Sequence, residues 1–114
     1  LFPISITRFE AEKARVLLQK RGLNISIIHQ LWIKPFIIKK KWLQCLNNSK
    51  FGGLVLDDDY EQGVASSIAQ RMMIESNKKV HTLGLKHRTA GFHSKVDNLP
   101  PNSQDIINFI EKLL

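Results

Sequence analysis

The sequence predicts an α/β fold: a mostly parallel sheet covered by helices on both faces. Three observations carry this. Short, β-branched apolar runs alternate with segments of helical period along most of the chain. Each helical segment ends in glycine, asparagine or a basic residue before the next apolar run begins. The chain has 114 residues, enough for one domain with a real core. Strands that alternate with helices are joined by right-handed crossovers, so their C-terminal ends and the loops after them share one edge.

The elements follow in order. Leu1 to Ile6 reads as a strand, with Pro3 placing it at an edge or at the strand's start. Thr7 and Glu10 have capping-box spacing, and Phe9, Ala11, Ala14, Leu17 and Leu18 recur at a helical period up to Gly22, a C′ glycine behind a basic last turn. Asn24 to His29 is short and β-branched, so a buried strand is expected. Lys34-Pro35 breaks the chain, and Phe36 to Leu46 is expected as an amphipathic helix. Asn47 to Gly53 reads as a loop and Leu54 to Leu56 as a strand. A helix from Glu61 or Gln62 to Glu75 should turn Val64, Ile68 and Met72 inward, and Val80 to Leu83 is the next strand. Residues 84–101 have little regular pattern, and Ser103 is placed to cap a last helix through Leu113.

Composition sets limits. The chain is 43% hydrophobic and 24% charged, as a folded domain is. No apolar run approaches the ~20 residues of a membrane span, so no membrane partner is expected. Leu1 to Ile6 is too short for a signal peptide and lacks a basic start. Cys45 stands alone, which leaves no internal disulfide or cysteine zinc cluster and fits a reduced, cytoplasmic setting. The net charge of +7 attracts phosphates, nucleic acid or an acidic partner without choosing among them.

The chemistry-bearing residues narrow the choice. Asp57, Asp58 and Asp59 end a greasy run and precede a helix, where acids favour the positive helix end by ~0.3–1 kcal/mol each. As a calcium loop starting at Asp57 the stretch fails, because Gln62 and Ile68 occupy the glycine and glutamate positions. No metal site is expected. Neither phosphate-cradling glycine motif occurs, and no Ser, His and Asp set can be assembled, so no catalytic residue is assigned. Lys39, Lys40 and Lys41 beside Trp42 could suit nucleic acid. Helical spacing instead spreads the lysines around a solvated face and turns Trp42 inward with Ile38, so nucleic-acid binding is not the preferred reading. The basic cluster of Lys86, His87, Arg88, His93 and Lys95 is a better anion candidate. It follows a strand, where open α/β sheets present ligands.

Taken in order, the pieces resemble the C-terminal domain of transketolase-like, thiamine-diphosphate-dependent enzymes. That domain also closes the β subunit of 2-oxoacid dehydrogenases and deoxyxylulose-phosphate synthase. "EAEKARVLLQKRGLNISIIHQLWIKPF" is similar to the family's alanine-rich helix, glycine turn, strand and K-P segment. "LVLDDDYEQGVASSIAQRM" is similar to its strand, acidic pair, glycine turn and helix. "VHTLGLKHR" resembles the last strand and its loop, and "LPPNSQDIINFIEKLL" the closing helix. The family often has two adjacent glycines where this chain has only Gly63, and more strand before the position of Leu1.

The resemblance implies a three-layer α/β/α domain, residues 1–114, with a five-stranded mixed sheet, as part of a longer enzyme. It implies that Asp57 and Asp58, with Tyr60 and Gly63, serve the turn and the contact with neighbouring domains and a dimer partner. His87 and Arg88 become candidates for a substrate phosphate. Thiamine diphosphate and Mg²⁺ would be held by other domains, for ketol transfer or 2-oxoacid decarboxylation. The competing expectation is an interaction module that docks an acyltransferase core or another acidic partner.

Overall fold

The computed structural model describes residues 1–89, 91 and 93–114. Three parallel strands form the sheet: β1 (Phe2–Pro3), β2 (Gly53–Tyr60) and β3 (Val80–Leu85), in spatial order β1-β2-β3. Among the described residues four helices connect and flank them: α1 (Thr7–Lys20), α2 (Lys40–Asn47), α3 (Val64–Ser76) and α4 (Ser103–Glu111). The molecule is a compact α/β protein, with a Cα radius of gyration of 13.9 Å.

Apolar side chains divide between the two sheet faces. On one face, Phe2, Ile4, Val55 and Val80 meet Leu46 of α2 and Ala65, Ile68, Ala69 and Met72 of α3. On the other, Leu54, Leu56 and Leu83 meet Ala11, Ala14 and Leu18 of α1 and Ile106, Ile107 and Ile110 of α4. Alternation along β2 explains the division: Leu54 and Leu56 point one way and Val55 the other. Both faces are covered, which is why β2 is apolar without a polar side through Leu56.

Several expectations need correction. Residues 24–29 run extended beside β1 but form no regular ladder. Ile28 N–H donates to the Leu1 carbonyl and Gln30 N–H to that of Pro3, and Ile4 pairs with Gln30 in an isolated parallel bridge. This stretch is a half-buried sheet edge, not a buried strand. α2 begins at Lys40, four residues after the expected Phe36. Phe36 and Ile38 pack on the core while Ile37 between them is exposed, which is the period of extended chain. Trp42 is only half-buried; Phe36 packs beside it, and the Lys39 ammonium lies 5.7 Å from its ring centre.

α3 turns Ala65, Ile68, Ala69 and Met72 inward, whereas Val64 is 42% exposed. α1 has no capping box. Thr7 is buried and its hydroxyl donates to the Ile4 carbonyl at 2.5 Å, while the Glu10 carboxylate accepts from Ser103 N–H at 2.9 Å. The capping box sits at α4, where Asn102, and not Ser103, is the cap, paired reciprocally with Asp105. Gly22 has φ of +80°, as a C′ glycine requires.

Candidate functional site: a cleft at the strand ends

β2 and β3 run parallel, so their C-terminal ends open together. There the turn into α3 and the loop after β3 border a cleft of about 620 Å³, lined by Tyr60, Gln62, Gly63, His87, Arg88 and Thr89. Four residues singled out from the sequence, Tyr60, Gly63, His87 and Arg88, therefore share one wall system. His93 and Lys95 of the same basic cluster do not line it.

The acidic triplet builds this cleft from beneath. Leu56 pairs with Leu83, and Tyr60 with Leu85, so β2 advances four residues while β3 advances two. Asp57, Asp58 and Asp59 are thus a bulge, which bends the strand end and re-aims Tyr60. Gly84 lies against the bulge. A Cβ there would stand 2.6 Å from the Asp59 carbonyl oxygen and 3.0 Å from the Glu61 nitrogen. The bulge fits only because β3 has no side chain at that point.

Asp57 is buried at 4% exposure, and its Oδ1 accepts from Asp59 N–H at 3.2 Å. Burial pushes its carboxyl above the ordinary value, against the backbone amides of Asp59 and Ala65 that favour the charged form. Asp58 is half-buried and Asp59 exposed, with Asp59 Oδ1 accepting from Tyr60 N–H at 2.8 Å. None of the three lines the cleft. Glu61 pairs with Lys86 at 2.8 Å across the strand ends. Among the described residues, no three His, Cys, Asp or Glu side chains converge as a metal set.

The turn 61–63 closes with Gly63 N–H donating to the Tyr60 carbonyl at 2.9 Å. A Cβ on Gly63 would approach that same carbonyl to 3.1 Å, so the glycine's close approach is to its own turn. Gly63 precedes α3, and the positive end of that helix opens beside the cleft. The basic loop is held from three directions. Tyr60 hydroxyl donates to the Arg88 carbonyl at 3.3 Å. Asn98 Nδ2 donates to the Lys86 and Arg88 carbonyls at 3.1 and 2.8 Å, and its Oδ1 accepts from Lys86 N–H at 2.8 Å. The Arg88 guanidinium pairs with Asp97 at 2.8 Å, both side chains being exposed. Such a surface pair is worth ~0–1 kcal/mol, so an anion can displace the Asp97 carboxylate.

The arrangement suits an anion: a guanidinium, a histidine and a helix N-terminus border one opening. Among the described residues it holds no nucleophile paired with a base. Asn98 was not singled out from the sequence. Its signal is slight, a polar residue before Leu99-Pro100-Pro101 that reads like any turn residue. Among the described residues no helix is long and apolar enough to cross a membrane. No family model matches the chain, and no curated protein does.

Proposed function

We propose that this chain is the C-terminal domain of a thiamine-diphosphate-dependent, transketolase-like enzyme. In that role it organises domain packing and the dimer, and its strand-end cleft supplies positive charge at the substrate entrance. The observation that supports this most is the cleft itself. Tyr60 and Gly63 come from one stretch that resembles the family and His87 and Arg88 from another, and they border one opening. The reading brings the family's five-stranded sheet with it, for which the extended edge at residues 24–30 is the candidate fourth strand.

Thiamine diphosphate and Mg²⁺ supply the carbonyl chemistry of such an enzyme. The residues of this chain are not fitted to hold them: the phosphate-cradling motifs are missing from the sequence, and near the cleft Asp57 and Asp59 are hydrogen-bonded within the bulge, Glu61 to Lys86 and Asp97 to Arg88. What the chain itself does is orient a substrate anion through Arg88 and His87, with Tyr60 and Asn98 holding the loop in register.

The coding sequence upstream of Leu1 tests the reading directly. A pyrimidine-binding domain there supports it, and an unrelated sequence removes it. In the complete enzyme, Arg88→Ala should raise KM for a phosphorylated substrate about tenfold with kcat little changed, the loss of one charge-assisted contact of ~1.5 kcal/mol. Unchanged kinetics would take the cleft out of substrate binding. Calorimetry on the 114-residue chain should give no thiamine diphosphate binding; a tight complex would overturn the assignment.

A further inference from the structure

A second concavity of about 400 Å³ lies at the C-terminal end of β1, between the start of α1 and the end of the extended edge. Ile4, Ile6, Arg8, Phe9, Gln30 and Leu31 line it. Its lips are apolar and open to solvent: Ile6 is 57%, Phe9 56% and Leu31 78% exposed, with the neighbouring Trp32 at 70%. Large apolar side chains gathered in this way mark a surface that something covers.

Charge says what covers it. From Lys13 to Leu56 the chain contains no Asp or Glu. Lys34, Lys39, Lys40 and Lys41 follow the groove's last residues, and among the described residues none of them is in an ion pair. Arg8 lines the groove with its guanidinium 4.6 Å from the Phe9 ring centre. The acids on the adjoining helix are engaged: Glu10 by Lys13 and Ser103, Glu12 by Arg15 and His29.

We propose that this groove docks an acidic segment of a partner protein. One large apolar side chain of that segment sits among Ile6, Phe9 and Leu31, and carboxylates lie beside Arg8 and Lys34. A second copy of the chain is disfavoured, because pairing two such faces brings like charge together on a protein of net charge +7. A bilayer reaches Trp32 and Leu31 but does not fill a concavity. The proposal does not rest on the enzyme-domain reading, since none of the residues it uses enters the strand-end cleft.

Selection of a displayed library of short random peptides on the 114-residue chain tests it. The expected result is enrichment of peptides that combine Asp or Glu with a large apolar residue. A synthetic copy of an enriched peptide should bind about tenfold more weakly to the Phe9→Ser/Leu31→Ser double variant. It should also bind more weakly to Arg8→Glu, with steeper loss in salt for the parent chain than for that variant. Both apolar positions are exposed, so the variant should keep the parent's circular dichroism; a Leu31→Ser single variant serves if it does not. No enriched class, or enriched peptides indifferent to these changes, would overturn the proposal. So would binding of phosphatidylserine vesicles or oligothymidylate through the same residues without peptide binding, which would assign the face to a membrane or to nucleic acid.

Discussion

Asn98 and Lys86 pair through both of their polar ends: Lys86 N–H donates to Asn98 Oδ1 at 2.8 Å, and Asn98 Nδ2 donates back to the Lys86 carbonyl at 3.1 Å. One buried side-chain amide thus does for the end of β3 what a neighbouring strand does elsewhere. It sets the path of residues 86–88 and with it the position of Arg88. Asn98→Ala should lose about 2 kcal/mol of stability, since two or three partly buried bonds at ~1 kcal/mol each are broken. Asn98→Asp should fare no better, because an acceptor would then face the Lys86 and Arg88 carbonyls. Urea denaturation reads both; a midpoint equal to the parent's would dismiss the latch.

The raised Asp57 carboxyl makes stability depend on pH with a definite sign. The folded state holds this proton more tightly than the unfolded state, whose value is near the ordinary 3.8. Stability from this group is therefore present at low pH and falls as pH rises through the raised folded-state value. Asp57→Asn removes that titration. Relative to the parent, the variant should be more favourable at about pH 7 than at about pH 3. An equal difference at the two pH values would show that the carboxyl is not raised.

His81 has the opposite slope. Burial, and then the Lys79 ammonium, hold its imidazole below the ordinary 6.5, and its ring meets Phe109 edge-on at 5.4 Å. The unfolded state binds the extra proton first. The contribution is fully present above 6.5 and is lost as pH falls through the depressed folded-state value. His81→Asn should flatten the parent's stability profile on the acid side of neutrality. NMR titration of the His81 ring, giving a midpoint at or above the ordinary value, would refute the assignment.

Gly84 should not accept a side chain. The Cβ of Gly84→Ala would press on the backbone of Asp59 and Glu61, neither of which can rotate away. A cost of ~1–3 kcal/mol is expected from overpacking. Because the contact is with the bulge, the variant should also move Tyr60 relative to the Arg88 loop, seen as amide shifts at residues 60–63 and 86–88 in NMR spectra. Wild-type stability in Gly84→Ala would mean that the bulge does not rest on β3.

The α4 cap is worth testing by itself. Asn102 Oδ1 accepts from Gln104 and Asp105 N–H, and Asn102 N–H donates to Asp105 Oδ2. Asn102→Ala should cost ~1 kcal/mol, and Ser103→Ala much less. If thermal denaturation ranks them the other way, Ser103 is the cap.

Much of the α/β order was legible from residue patterns alone. α1, α3 and α4 follow from periodic Ala, Leu, Ile and Met, and β2 and β3 from short apolar runs, because these signals are local and recur within a few residues. That residues 61–63 and 86–88 meet at one edge was legible too, since parallel strands send their C-terminal ends together, whereas Tyr60 proved to be the last residue of β2 and not part of the turn after it. Tertiary structure alone decided the rest. Glu10 sits three residues after Thr7, as a capping pair does, yet it caps the distant α4 through Ser103, while Thr7 turns inward to the Ile4 carbonyl. The three aspartates became a bulge because Gly84, far along the chain, leaves room for it. Asn98 became a latch because the end of β3 presents open main-chain groups. Each of these depends on which backbone atoms another element brings within hydrogen-bond reach, and a linear pattern does not contain that distance.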